Sequence, residues 1–375
     1  TSSPATTPKR EEAAASAGPG DNTFSTCPVN ETCVGGNDTA AICLKGHRGP
    51  LCAICDKGYS RWKNTIPCSK CPDDMAPSIL GAIGAAVGLL LFLGLCLFFN
   101  RRTPNGILRP LINAAQNMVV VFMFPVDWPD SIEGLSAALS GINLDFVEIA
   151  SPACLGMPVS YYGRLVSMVM ITALIIGAPW LVSFLRHRKN KNNDATRWAA
   201  AVRSRLRDTF LLVVLLHPTV SGASFYMFRC RDIAYYDQSK GTYEAKQYLM
   251  TDYALECYDS TWNGMLVVVM VVIVGFSLGM PILFARILYV RRKQLQQEET
   301  KKLLGVLYMS YKPHLFWFES VTMTFKLALW ATLVFFEHGS QFQLAMSATI
   351  CFVQLGVHTR FEPYETRFKN IMQYV

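Results

Sequence analysis

Two ionisable residues, Glu319 and Lys326, lie inside an apolar run whose composition predicts a membrane-spanning helix. Seven residues are close to two helical turns, so both side chains are predicted on one face, roughly 10 Å apart along the axis. A charge at mid-membrane costs about 2.5–3.5 kcal/mol or more, so it normally faces a bundle interior, a partner charge or water. The pair is therefore the first candidate for ion passage or for switching between states.

Both charges also have purely structural interpretations. Glu319 lies near the start of the helix, where it could pair with Lys312 or with an arginine of a cytoplasmic loop. Lys326 could pair with a carboxylate of a neighbouring span. A buried lysine could also carry a retinal Schiff base, but no other feature of the sequence supports that chemistry, and no cofactor is predicted.

Three prolines interrupt other apolar runs. His217, next to Pro218, is predicted to be a packing or kink residue, with proton transfer as the alternative, because proline removes a backbone donor and crowds the preceding turn. Pro179 and Pro281 are predicted to break or bend two further spans. The sequence has no phosphate-binding loop, no Ser-His-Asp arrangement on one side of the membrane and no metal motif in the spans. An enzyme is therefore not predicted.

Composition places these residues in an all-α polytopic membrane protein. Of the 375 residues, 51% are hydrophobic and only 17% charged, and the apolar residues are concentrated in runs. The net charge of +8 lies in loops between these runs, which indicates a lipid bilayer and not nucleic acid as the partner. Spans are predicted at about 76–99, 107–124, 161–185, 209–228, 262–290, 317–336 and 342–357, with another beginning near residue 371.

Two regions precede the bundle of residues 76–375. Residues 1–21 are rich in Ser, Thr, Ala and Pro and are predicted to form a disordered linker. Residues 22–75 are predicted to form a small cysteine-rich module. Because the chain starts at Thr1 and ends as a new apolar stretch opens, we expect it to be part of a longer protein with eight or more spans.

The cysteines of the module allow two interpretations. The spacing of the last four is typical of a zinc ribbon, whereas a disulfide framework accounts for all of them. Glycosylation sequons at Asn30 and Asn37 favour disulfides on the outer side. The outer loops add three further cysteines. We expect one disulfide bridge that ties Cys154 to Cys230 or Cys257. The disulfide candidates are Cys27, Cys33, Cys43, Cys52, Cys55, Cys68, Cys71, Cys154, Cys230 and Cys257.

Loop charges predict the orientation of the bundle. Basic residues gather in the loops after the first, third, fifth and seventh spans, and the alternate loops hold Arg229, Arg231, Lys240 and Lys246. The more basic set is predicted to face the cytoplasm. This places the cysteine-rich module outside, in agreement with its sequons.

Several motifs together resemble a known family. The run GHRGPLCAICDKGY followed by CSKC resembles ephrin-receptor-like and EGF-like modules. From residue 107 onward, the motifs PVDWP, LHP, GMP, LGVLYMSYKPHLFWFE and FEPY resemble multi-pass proteins of protists and algae that end in a TRP-like transmembrane module. The resemblance implies a plasma or ciliary membrane protein that senses a stimulus or conducts cations.

One feature departs from the channel pattern that the resemblance implies. A pore loop normally lies between the last two helices of a cation channel, but the turn at about 337–341 is too short for one. Residues Trp128–Ala150 are the candidate re-entrant segment. The alternative is a non-conducting membrane anchor or adhesion receptor for an extracellular glycoprotein or matrix. Either protein could form a homo-oligomer.

Overall fold

The structure, a computed structural model, describes most of the bundle and part of the cysteine module. It describes residues 27–29, 32–33, 43–61, 66–72, 76–102, 108–124, 126, 128–129, 134, 154, 160–189, 195–237 and 242–371. The linker 1–21, the sequons at Asn30 and Asn37, most of Trp128–Ala150 and the chain after residue 371 lie outside the described residues.

The fold is mostly helical. Its helices are α1 (Ala76–Arg102), α2 (Leu108–Phe122), α3 (Tyr161–Lys189), α4 (Ala195–Phe225), α5 (Ser260–Val272), α6 (Gly279–Val290), α7 (Glu298–Tyr308), α8 (Phe318–Phe335), α9 (Gln341–Phe361) and α10 (Arg367–Ile371). A π-helical turn, Ile273–Leu278, joins α5 to α6 without a break.

Within the described residues, five segments are long and apolar enough to cross a membrane. They are Ile79–Phe99, Tyr161–Lys189, Trp198–Phe228, Ser260–Val290 and Phe318–Phe335. Helix α2 has 15 residues and spans about 22 Å, and α9 has the length but a more polar composition. The prediction of seven spans therefore remains a prediction for α2 and α9.

Helices α4 and α8 form the centre of the bundle. In their most apolar windows, 83% and 67% of residues are buried, whereas α1, α3 and the α5–α6 segment are 17–22% buried. Gly222 on α4 lets the two central helices approach closely, because the ring of Trp330 on α8 lies against its backbone. The outer helices thus have broad exposed apolar faces, and α4 and α8 form most of the buried interior.

Two apolar clusters occupy opposite ends of the bundle. We call the end at which α4 stops and α5 begins the module end, and the opposite end, at which α4 begins and α6 stops, the far end. The far-end cluster includes Leu211–Leu216 of α4 and Met323 of α8. The module-end cluster includes Phe225 after the α4 midpoint and Trp330 of α8. The middle of α4 and α8 lies between them.

A three-stranded antiparallel sheet covers the module end, and the all-α prediction omitted it. Its strands are β5 (Cys230–Asp237), β6 (Thr242–Leu249) and β7 (Asp252–Glu256), in the order β5-β6-β7. The Cys230–Cys257 bridge closes the base of the sheet. Sequence reasoning took this stretch for a loop because its apolar and polar residues do not alternate regularly.

The cysteine module is built from two short hairpins, β1 (His47–Arg48) with β2 (Ile54–Cys55), and β3 (Tyr59–Ser60) with β4 (Ser69–Lys70). Ala53 of the module packs on Ile233 and Tyr253 of the sheet. The module therefore rests directly on the sheet.

All ten candidate cysteines are paired. The bridges join Cys27 to Cys33, Cys43 to Cys52, Cys55 to Cys68, Cys71 to Cys154 and Cys230 to Cys257. The prediction of a bridge from Cys154 to Cys230 or Cys257 is wrong, because Cys154 pairs with Cys71 of the module. The four cysteines of the zinc-ribbon spacing belong to three different bridges, so they are not arranged as a zinc site.

Three further expectations are corrected at the level of helices. The expected break at Pro179 is absent, because α3 continues through it as one helix. Helix α4 also continues through Pro218 and begins at Ala195, about four turns earlier than predicted. Helix α7 was not predicted; its buried face, which includes Leu304 and Leu307, packs in the far-end cluster.

The close approach of α4 and α8 at Gly222 gives a direct test. A Cβ at Gly222 would lie 2.4 Å from Cζ2 of Trp330, whereas a Cβ at Gly264 on α5 meets nothing within 4 Å. We expect Gly222→Ala to lower the free energy of unfolding by about 1–3 kcal/mol through overpacking. Gly264→Ala should be neutral or stabilising, because alanine is the better helix former. Thermal unfolding in lipid nanodiscs measures both; equal melting temperatures for the two variants would contradict the close packing.

Candidate functional site

A layer of polar side chains crosses the bundle between the two apolar clusters. It consists of Asn113 and Gln116 on α2, His217 on α4, Ser277 in the π-helical turn and Lys326 on α8, and we call it the polar layer. Each of the five is at most 2% exposed. The layer therefore lies in the apolar interior, where polar groups need partners within the protein.

Lys326 is the charged member of the layer. Its Nζ donates to Oδ1 of Asn113 at 2.9 Å and to Oε1 of Gln116 at 2.7 Å. Lys326 lies eight residues into α8, roughly 12 Å from the helix start, which places the ammonium near mid-helix. The two amide oxygens replace part of the water that the charge has lost.

Gln116 extends the layer to the central helix. Its Nε2 donates to the backbone oxygen of Leu215 at 2.9 Å. Leu215 lies in the turn of α4 that precedes Pro218, where the proline provides no N–H and crowds the backbone. One amide thus links the charge on α8 to a helical turn that proline weakens.

His217 makes the corresponding contact with the fifth apolar segment. Its Nε2 lies 2.9 Å from the backbone oxygen of Ser277, and since a carbonyl only accepts, Nε2 carries the hydrogen. In an α-helix this oxygen would bond to the N–H four residues later, which is the position of Pro281. The imidazole therefore satisfies the oxygen that Pro281 leaves without its helical donor.

Glu319 lies at the far end of α8 and is fully buried. Its Oε2 accepts a hydrogen bond of 2.6 Å from the hydroxyl of Tyr311. The Tyr311 ring packs on Phe318 and Tyr364, and the Lys312 N–H donates to the Pro363 oxygen at 2.7 Å. The carboxylate is thus attached to the segment that precedes α8 and to the FEPY turn after α9.

Asn370 fixes the FEPY turn on which this attachment depends. Its Oδ1 accepts from the Tyr364 N–H and its Nδ2 donates to the Tyr364 oxygen, both at 3.0 Å. The motifs that carried the family resemblance, LHP, GMP, YKPH and FEPY, are therefore brought to two places in the fold, the polar layer and the Glu319 attachment.

The structure gives some of the partners of the two charges. Lys312 Nζ lies 3.8 Å from Oε2 of Glu362, and the Tyr311 hydroxyl is a partner of Glu319. The partners given for Lys326 are amides of α2. The pairing of Glu319 with Lys312 or with an arginine of a cytoplasmic loop, and of Lys326 with a carboxylate, stay predictions. Glu319 and Lys326 lie on one helix.

Sequence reasoning missed four partners. Nothing in the sequence connected Asn113 and Gln116 to a lysine 213 and 210 positions away. Ser277 could have been found, because a residue four positions before a proline has a carbonyl without its helical donor. Tyr311 carried no signal of its own.

The comparisons with known proteins do not add a family. No family model, no curated protein and no solved structure matches the chain. The TRP-like and ephrin-receptor-like or EGF-like resemblances therefore remain predictions. Among the described residues, no group of three His, Cys, Asp or Glu side chains could hold a metal ion.

A second polar contact lies outside the bundle at the module end. Nη2 of Arg229 donates to Nδ1 of His338, in the turn between α8 and α9. Burial and the nearby Arg229 and Arg231 lower the pKa of His338 to about 4. The imidazole is therefore neutral at pH 7 and accepts a hydrogen bond from the guanidinium.

The polar layer predicts the effect of removing one amide. Gln116→Leu removes one of the two amide oxygens that accept from Lys326 and the amide that donates to the Leu215 oxygen, so we expect the free energy of unfolding to fall by about 1–3 kcal/mol. Asn117→Leu on the same helix is the control, because Asn117 is outside the layer and less buried. Thermal unfolding in nanodiscs measures the difference.

The same measurement can test whether a second substitution restores stability. Adding Lys326→Met to Gln116→Leu removes the buried charge, so part of the lost stability should return. If Gln116→Leu costs no more than Asn117→Leu, the amide does not stabilise the charge.

His338 predicts a pH dependence. Its ordinary pKa is 6.5 and its folded pKa is about 4, so between these values the unfolded state binds the extra proton and stability falls as pH falls. The ring keeps contact with solvent, which screens the effect. We expect the melting temperature of the native protein to drop about 2–4 °C more than that of His338→Gln between pH 7 and pH 4.5. Identical pH profiles would contradict the assignment.

Proposed function

We propose that the chain is the transmembrane part of a surface-membrane sensory or cation-conducting protein of the TRP-like class. In this proposal the cysteine-rich module lies outside a plasma or ciliary membrane and acts on the bundle. Helices α2 and α9 count as spans, so that the bundle has seven in this chain. The family and the activity are inferred from the motifs and from the arrangement of the site.

The observation that carries the proposal is a continuous connection from the module to the polar layer. The module packs on the sheet through Ala53 and is bridged to the following loop through Cys71 and Cys154. Short segments join the sheet to α4 at one side, through residues 226–229, and to α5 at the other, through residues 257–259. These two segments meet again at the His217–Ser277 contact.

The sheet also holds a third span. Oδ2 of Asp252 accepts from the Tyr161 N–H at the start of α3, at 3.0 Å, and the Tyr161 hydroxyl donates to the Ala223 oxygen of α4. A force or a ligand that displaces the module would therefore act on α3, α4 and α5 together. Such a displacement is what a receptor module needs in order to change the packing of a bundle.

The charge distribution supports the orientation. The far end carries Arg186, Arg188 and Lys189 in the last turn of α3 and Arg291–Lys293 after α6, and the disulfides gather at the other end. Basic loops favour the cytoplasmic side and disulfides the oxidising side.

In the proposed mechanism the polar layer is the gate. Lys326 holds α8 to α2, and His217 holds α4 to the π-helical turn, so displacement of α4 strains both contacts. Breaking them would expose the ammonium and two backbone oxygens to a common space, which only water or ions could satisfy. The closed arrangement described here is then the resting state.

A specific observation favours the alternative of a non-conducting anchor. The turn between α8 and α9 comprises Phe336–Ser340, with Ser340 capping α9, so there is no pore loop at this position. In the anchor, the polar layer would only fix the packing of the bundle while the module holds an extracellular glycoprotein or matrix.

The experiment that separates the two is electrical recording under membrane stretch and voltage steps, in cells with a low background conductance. A channel predicts a current that Lys326→Met changes in gating or selectivity, because the variant removes the charge of the layer. It also predicts that Cys71→Ser with Cys154→Ser weakens the stretch response while leaving the voltage response. The matched control is Cys96→Ser, which removes a free thiol of α1.

Surface biotinylation must show that each variant reaches the membrane. With delivery shown, silence of the native protein under every stimulus would overturn the channel and leave the anchor.

A further inference from the structure

A pocket of about 350 Å³ opens at the far end between α4, α6 and α7. Phe210 of α4, Leu283 and Ile287 of α6 and Leu303 of α7 line its apolar wall, and Arg286 and Arg291 stand at its edge. We propose that this pocket binds an anionic phospholipid, with the acyl chain on the apolar wall and the phosphate at the two arginines.

The two arginines are available for a ligand. Within the part of the chain that the structure describes, neither guanidinium forms an ion pair, and both side chains are exposed. Carboxylates of the neighbouring turns pair with other cations: Asp208 with Arg205 at 3.6 Å, Glu299 with Arg203 at 3.5 Å and Glu298 with Lys301 at 3.2 Å. Among the described residues, none of these carboxylates forms an ion pair with Arg286 or Arg291.

The neighbouring arginine shows the difference. Arg292 lies over the Tyr289 ring at 4.2 Å and donates to the Tyr289 oxygen at 2.9 Å. Arg292 is thus held by the protein itself, whereas Arg286 and Arg291 line the pocket and are exposed. A planar guanidinium fits a phosphate with two parallel hydrogen bonds.

The position of the pocket selects a lipid over a soluble anion. Arg286 lies just before the last turn of α6 and Arg291 just after it, so both are near the end of a membrane-length segment, where a span meets the headgroups. The remaining wall is formed by apolar side chains, on which an acyl chain can pack and a free phosphate compound makes no favourable contact. This step rests on the proposed orientation, in which the far end faces the anionic cytoplasmic leaflet.

The location also connects the pocket to the polar layer. Its walls belong to α4 and α6, the helices that flank the His217–Ser277 contact. A lipid that fills the pocket would hold these helices at their far ends while the module acts on them from the other end.

Binding is tested with purified protein in nanodiscs of phosphatidylcholine that contain a minor share of phosphatidylserine. Native mass spectrometry after detergent release then gives the bound lipid. We expect phosphatidylserine to be retained over phosphatidylcholine, and Arg286→Gln and Arg291→Gln to lower its affinity about five-fold each. Both side chains are exposed, so these variants leave the core intact. Leu283→Trp, which fills the wall, should also weaken retention.

The control is Arg360→Gln, an exposed arginine at the same end on α9 and outside the pocket, which should retain the lipid as the native protein does. An equal loss for Arg360→Gln would mean that phosphatidylserine follows surface charge alone, and would overturn the site. Competition by glycerophosphoserine as strong as by the whole lipid would assign the pocket to a soluble phosphate compound and overturn the lipid. The assay records no current, so its failure and a failure of the channel proposal are separate results.

Discussion

The buried ammonium of Lys326 is the constraint on which the bundle depends. A charge in an apolar interior costs several kcal/mol unless polar groups surround it. Asn113 and Gln116 supply two oxygens from α2, and this forces α2 against α8 even though α2 is short. Gln116 also donates a hydrogen bond to the Leu215 oxygen and so connects α2 to α4. One charge thus specifies the relative positions of three helices, which apolar packing alone leaves free to slide.

Proline supplies the other half of the polar layer. Pro218 and Pro281 each remove a backbone donor from an apolar segment. Gln116 donates to the Leu215 oxygen, next to the Val214 oxygen that loses its helical donor at Pro218. His217 contacts the Ser277 oxygen, which loses its helical donor at Pro281. The π-helical turn lies at the same place. Weak points in two helices are therefore joined to each other, a combination that suits segments with two alternative packings.

The two ends of the bundle are restrained differently. At the module end, disulfides and a sheet hold the spans through covalent and backbone contacts. At the far end, Tyr311 donates to the Glu319 carboxylate and packs on Tyr364, which Asn370 holds by hydrogen bonds, and a pocket remains open between α4, α6 and α7. The far end is thus the more adjustable one. This asymmetry is common to the sensory and the anchoring interpretation, because both must attach an outer module firmly to a bundle.

The sequence by itself determined the helical membrane class, the cysteine-rich module and the positions of the charges on one helix. Apolar runs of membrane length and cysteine composition are local properties, so pattern alone reveals them. The tertiary structure alone decided which partners satisfy Lys326, which cysteine pairs with Cys154, and that a sheet joins the module to the spans. These depend on contacts between residues far apart in the chain, and hydrogen-bond partners in a low-dielectric interior follow from helix packing that no local period encodes. Helix α7 and the start of α4 were missed for a related reason. Both segments contain many charged residues, and their apolar faces become buried only where α4 and α7 pack together.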